Sequence, residues 1–224
     1  MRKKYWVNIF LFVLIVNLAG GSIANSAMQN ISKPLLMPLL IGWLLYSGIR
    51  NVTKRNWIIL ALFFSWLGDV LLMFQEKDAL FFILGLSEFL IAHLFYIVFF
   101  FNINRKEKLK LNWLLIIVVA AYYFALLTIL FPTLGDMKIP VTVYGLVIST
   151  MLLFALHVAS IKNREAAKWL LTGAILFVIS DSVLAINKFY YPFEYSGVLI
   201  MLTYGMAQWF IVKGAILYLR NQDE

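Results

Sequence analysis

Eight long apolar runs joined by short polar or basic links constrain this chain more than any other feature: residues 5–22, 34–49, 57–74, 79–101, 113–131, 139–160, 166–186 and 196–219. In lipid every backbone N–H and C=O must find a partner within the protein, and a helix achieves this segment by segment. Most of the runs reach the roughly 17 to 25 residues that cross about 30 Å of hydrocarbon; the second is a little short. The expected fold is an all-α polytopic membrane protein with eight transmembrane helices. The hydrophobic fraction of 63% and the 13% of charged residues agree with it, because soluble domains carry about 25% charged residues. The longest links, such as residues 102–111, leave no room for a soluble domain, so residues 1–224 are expected to form one membrane domain.

Lysine and arginine set the expected orientation, since positively charged loops stay in the cytoplasm. Threading eight helices puts Arg2, Lys3, Lys4, Arg50, Lys54, Arg55, Arg105, Lys106, Lys108, Lys110, Lys162, Arg164, Lys168, Lys213 and Arg220 on one side. Lys33, Lys77, Lys138 and Lys188 fall on the other, so both termini are expected in the cytoplasm of a cell whose inner membrane holds the protein. The net charge of +8 is then an orientation signal that also suits anionic membrane lipids, and nucleic acid is not an expected partner. The start resembles a signal peptide in its basic residues, but its apolar segment is too long and the charge alternation needs it, so it is expected to be retained as the first helix. Without cysteine, disulfides, thiolate metal sites and a cysteine nucleophile are excluded.

Two acids interrupt the apolar runs. Asp69 lies in "FFSWLGDVLLMF" and Asp181 in "ILFVISDSVLAI". A carboxylate at the centre of a bilayer costs about 2.5 to 3.5 kcal/mol on insertion scales, which makes an intramembrane acid a functional-site hypothesis. The alternative, packing by interhelical hydrogen bonds, yields only about 0.6 kcal/mol on average, and Asn, Ser or Thr would supply it with a smaller penalty. The acids stand 112 positions apart, "AHL" at 92–94 and "AQW" at 207–209 are 115 apart, and "SKPLLMPLL" and "MKIPVTVYG" each place a lysine before a proline-containing helix start. This pattern predicts a four-plus-four duplication, about 1–104 and 105–224, whose halves enter the membrane in the same direction.

Helices three and seven both run outward, with each aspartate five residues before its apparent outer end. Both acids are thus expected at one depth, about 7 to 8 Å from that end at ~1.5 Å per residue. Asn17 falls near the same level, Lys33 just above it, and Glu88 and Tyr204 somewhat deeper, so a polar layer is expected in the outer half of the bundle. His93 carries Tyr96 at i+3 on its face, whereas Glu88 lies about 140° round the helix and cannot point at the same ligand. For His93 a structural hydrogen-bonding role competes with a catalytic one, for Glu88 pairing with Lys33 or a neighbouring helix competes with a place in the polar layer, and for Lys33 snorkelling competes with holding a phosphate. Three or four converging ligands make a zinc site, and with two histidines, one of them (His157) at the cytoplasmic end, no metal or other cofactor is expected. Two carboxyls facing one pocket resist ionising together, and one protonated acid beside one carboxylate is the arrangement of general acid–base catalysis.

The segments "KPLLMPLL", "WLGDVLLMF", "FILGLSEFLIAHLFYI", "ISDSVLA" and "YGMAQWFI" resemble, in order, the YhhN family of membrane proteins, which includes the lysoplasmalogenases. The resemblance implies an integral enzyme that hydrolyses the vinyl ether bond of a lysophospholipid substrate, releasing a fatty aldehyde and glycerophosphoethanolamine or glycerophosphocholine. That chemistry needs a protonated acid and a carboxylate. Asp69 and Asp181 are the expected catalytic pair, in roles the sequence does not divide. His93, Tyr96, Tyr204 and Gln208 are expected to orient them or a water, with Asn17, Glu88 and Lys33 in the same substrate site. Two other readings use the same acids: a small transporter or lipid-binding protein with a proton or substrate site, and hydrolysis of a different lysolipid.

Overall fold

A computed structural model describes residues 2–222, with side chains from Tyr5 onward; the charges of Arg2, Lys3 and Lys4 in the orientation count lie outside the described side chains. Eight α-helices follow one another: α1 (Arg2–Ser22), α2 (Ser26–Leu45), α3 (Val52–Leu72), α4 (Ala79–Lys106), α5 (Trp113–Leu130), α6 (Lys138–Val158), α7 (Arg164–Phe189) and α8 (Ser196–Arg220). Several begin at an Asn or Asp where the sequence changes from polar to apolar. Asn25, Asn51, Asp78, Asn112 and Asn163 each accept a backbone N–H from the first turn of the helix they precede. This satisfies donors that a helix start would otherwise leave bare.

Among the described residues seven helices are long and apolar enough to cross a membrane, and α2, a helix of 20 residues, is not among them. Composition, not length, sets it apart from the other expected spans. The helix begins at Ser26, not Pro34, because Asn25 caps it by accepting the Met28 N–H at 3.1 Å. Its first two turns carry Ser26, Gln29, Asn30, Ser32 and Lys33, which dilute its hydropathy. Pro34 and Pro38 therefore lie inside the helix. Pro38 has no N–H, so the Pro34 carbonyl one turn earlier loses its helical donor. Trp66 on α3 replaces it, its indole Nε1 donating to the Pro34 oxygen at 2.9 Å. The break in α2 thereby becomes a tie to α3, one turn from Asp69.

The helices form a multi-pass membrane bundle in which α8 is the most buried span and α5 the least. α8 packs against α7, α1, α2 and α3; α4 bridges α3 and α6; α5 lies outside, against α6 and α7. Close backbone approach fixes the two tightest pairs. A Cβ on Gly68 would stand 2.7 Å from the Phe89 ring and 3.1 Å from the Gly85 carbonyl, and one on Gly173 would stand 2.8 Å from the Ile211 nitrogen. Such small contacts let helices associate in lipid, where water supplies no drive. The first of them sets Asp69 hard against α4.

Candidate active site

The turns joining α1 to α2, α3 to α4 and α7 to α8 gather at one end of the bundle, around the mouth of a cavity of about 660 Å³. Asn17, Lys33, Asp69, Asp181 and Tyr204 all line it. Five elements thus converge on one space: α1 brings Asn17, α2 Lys33, α3 Asp69, α7 Asp181 and α8 Tyr204. The volume is that of an ordinary small-molecule site, roughly 300 to 1,000 Å³.

Asp69 is buried. Its Oδ2 accepts the Tyr204 hydroxyl at 2.7 Å, and its Oδ1 lies 3.4 Å from the Lys33 ammonium. Asn17 sets the α1–α2 wall beside them, its amide donating to Ser32 Oγ at 2.9 Å and to the Gln29 carbonyl at 3.4 Å. Asp181 has different company. Its Oδ2 accepts the Tyr144 hydroxyl at 2.5 Å and faces His93 Nε2 at 3.6 Å. His93 Nδ1 is 2.6 Å from the Phe89 carbonyl, which can only accept, so Nδ1 carries the hydrogen. In a neutral ring Nε2 then presents a lone pair to Asp181. Two acceptors facing each other need a proton on one of them or a water between them. Nothing of that kind holds at Asp69, whose neighbours are both donors.

Below the acids the wall is aromatic. Phe177 meets the rings of His93, Tyr204 and Tyr96 with centroids 4.7, 5.5 and 6.0 Å apart, and Phe89 meets Tyr204 at 5.7 Å. One turn deeper, the Tyr96 hydroxyl makes a short hydrogen bond to Gln208 Oε1, and Gln208 Nε2 donates to Ser65 Oγ at 3.0 Å. His93, Tyr96 and Gln208 are fully buried and are not among the residues lining the cavity. They stand behind it, fixing its walls.

Glu88 is not brought to this cavity either. It turns away from the face that carries His93, and its Oε2 is buried without a hydrogen-bond partner. The arc of about 140° between Glu88 and His93 keeps the two side chains on different faces of α4. His157 sits where its position in the chain puts it, far from the acids, with Nε2 accepting the Asn112 N–H at 3.0 Å. Among the described residues no three His, Asp or Glu side chains converge to hold an ion. Tyr144 was not singled out by sequence, yet a signal existed. The register between the aspartates, applied to Lys33, lands on Gly145, one residue from Tyr144.

The YhhN family model matches residues 28–215, most of the chain. A lysoplasmalogenase of Mycobacterium bovis is 30% identical over 211 residues, covering 92% of this chain and 78% of that protein. The rat lysoplasmalogenase TMEM86B is 32% identical over 187 residues, 82% of this chain and 70% of that protein. Human lysoplasmalogenase TMEM86A is 34% identical over 163 residues, 71% of this chain, and the match spans 65% of its own length. No solved structure matches. The matched stretch contains Lys33, Asp69, His93, Tyr144, Asp181 and Tyr204, and the chain belongs to the YhhN family.

Proposed function

We propose that the protein is a membrane hydrolase that cleaves the vinyl ether bond of lysoplasmalogens by general acid–base catalysis. The observation that carries this is the contrast between two carboxyls lining one cavity: Asp69 flanked by an ammonium and a phenol, Asp181 by a phenol and an imidazole lone pair. Asp181 is then the acid. The proton held between it and His93 passes to the carbon of the double bond remote from oxygen, leaving an oxocarbenium ion at the carbon bearing oxygen. Asp69, kept as a carboxylate by Lys33, faces the cation and takes a proton from the water that adds to it. The hemiacetal so formed collapses: its hydroxyl proton returns to Asp181 as the carbon–oxygen bond to glycerol breaks, and the leaving oxygen takes the proton held by Asp69, giving fatty aldehyde and glycerophospho-base with both acids restored. One water is consumed. His93 and Tyr144 position Asp181, and Tyr204 positions Asp69. The ammonium of Lys33 has three donors, enough to serve Asp69 and a substrate phosphate together.

The same contacts support the finer architecture. Lys33 on α2 reaches Asp69 on α3, and Tyr144 on α6 reaches Asp181 on α7. His93 on α4 crosses to α7, while Gln208 on α8 crosses to α3. Each half sends its second helix to its own acid and its fourth to the other half, as a four-plus-four parallel repeat would. With α2 crossing as the eighth span, both termini are cytoplasmic and the cavity opens to the outer face of the cell's inner membrane in this reading.

Purified protein given a lysoplasmalogen, its saturated ether analogue and an ester lysophospholipid is expected to release aldehyde from the first and nothing from the other two. Fatty acid from the ester would favour hydrolysis of another lysolipid. No product from any of them would return the acids to transport or lipid binding.

A further inference from the structure

Asp181 lines two cavities. The second is a narrow apolar groove of about 50 Å³ enclosed by α5, α6 and α7, with Leu126, Leu127, Leu130, Val141, Ile148 and Val178 along its sides. Tyr122, Tyr123 and Tyr144 border it as well, but their hydroxyls are already hydrogen-bonded: Tyr122 with Ser182 Oγ, Tyr123 donating to the Thr142 carbonyl at 3.2 Å, Tyr144 donating to Asp181. What these tyrosines turn to the groove is ring carbon. The groove therefore complements a hydrocarbon, and it runs directly up to the carboxyl assigned as the acid.

Resting on the reaction proposed above, we infer that this groove is the binding site for the alkenyl chain of the lysolipid. The glycerophospho-base then occupies the polar cavity with Lys33 and Asn17, and the vinyl ether lies at Asp181, the residue common to both. The position of the groove also provides an entry. It lies under α5, the least buried helix, which packs chiefly on α6, α7 and the turn that follows it and presents Ile117, Val118 and Phe124 outward. A chain can slide in from the lipid between α5 and its neighbours without crossing a polar surface. From Tyr122 to Leu130 the α5 wall extends about 12 Å at ~1.5 Å per residue, so a chain fills more of the groove as it lengthens towards that distance.

Gly145 is the wall position where bulk reports on this. A Cβ there would already stand 3.1 Å from the Tyr123 ring, so Gly145→Leu projects into the groove. The variant is expected to lower the ratio of kcat/KM for long-chain over short-chain vinyl ether lysolipids by roughly tenfold or more, since apolar area buried by the chain scales with its length. An unchanged ratio would overturn the assignment. A second measurement does not depend on turnover or on that variant's folding. Wild-type protein is photolabelled with a saturated ether lysolipid carrying a diazirine near the end of its chain, with and without excess unlabelled analogue. Label on residues 122–130 and 141–149 that the analogue competes away supports the chain site. Label confined to α1, α2 or α8, or label in the groove that competition leaves untouched, overturns it. Labelled protein that releases no aldehyde from lysoplasmalogen removes the reaction and keeps the chain site; aldehyde release with label elsewhere does the reverse.

Discussion

Asp181→Asn protein, purified and folded as wild type, is expected to release aldehyde about 10³-fold more slowly, within the ~10² to 10⁴ that general acid catalysis contributes. The change is nearly isosteric. The Tyr144 hydroxyl can still donate to the remaining carbonyl oxygen, which it meets at 2.5 Å in the wild type. What disappears is the acidic proton. Tyr144 and His93 both meet Oδ2, so with the amide oxygen at that position the Tyr144 bond is kept, which predicts a stable protein along with the lost rate. Stopped or single-turnover assays on lysoplasmalogen with matched thermal melts check both halves. Full activity in the variant would remove Asp181 from the chemistry.

Asp69→Asn is expected to lower the rate by a similar factor, about 10³-fold, for a different reason and with a different cost to the fold. The carboxylate that faces the cation is gone, and Lys33, 3.4 Å from it and largely covered, loses its counterion. Breaking one partner of a buried pair costs about 3 to 5 kcal/mol. The Lys33 side chain retains some exposure, so solvent reduces that penalty. A second variant separates the effects. Asp69→Asn with Lys33→Gln removes both charges and is expected to restore the melting temperature while activity stays lost. Recovery of activity in the double variant would make Asp69 a structural partner of Lys33 and nothing more.

The helices were legible because lipid demands them, and the acids because hydrocarbon penalises them. Which way each side chain points was not. In a soluble helix the polar face marks the outside, but here lipid-facing and core-facing residues are equally apolar: Phe63 and Leu94 are exposed, Leu62 and Phe99 buried. Facing had to come from tertiary contacts, and so Tyr144, an ordinary residue in an apolar run, was missed although it holds Asp181. Glu88 shows the converse. Its charge suggests a place in the polar layer, yet it is not among the residues that line the cavity. α2 starts at Ser26, eight residues before Pro34, because Asn25 supplies the cap and Trp66 repairs the gap that Pro38 leaves inside. Depth fared better than facing, since rise per residue is uniform. Asn17, Asp69 and Asp181, expected near one level, Lys33, expected just above it, and Tyr204, expected somewhat deeper, line one cavity.

The central claim is that a carboxylic acid in this cavity protonates a vinyl ether at carbon. Running wild-type protein on a lysoplasmalogen in deuterium oxide and trapping the aldehyde as it forms tests it directly. The account predicts an aldehyde bearing a single deuterium on the carbon next to the carbonyl, and, in heavy-oxygen water, a glycerophospho-base that gains no label. An aldehyde without that deuterium, or heavy oxygen on the glycerol product, would contradict it.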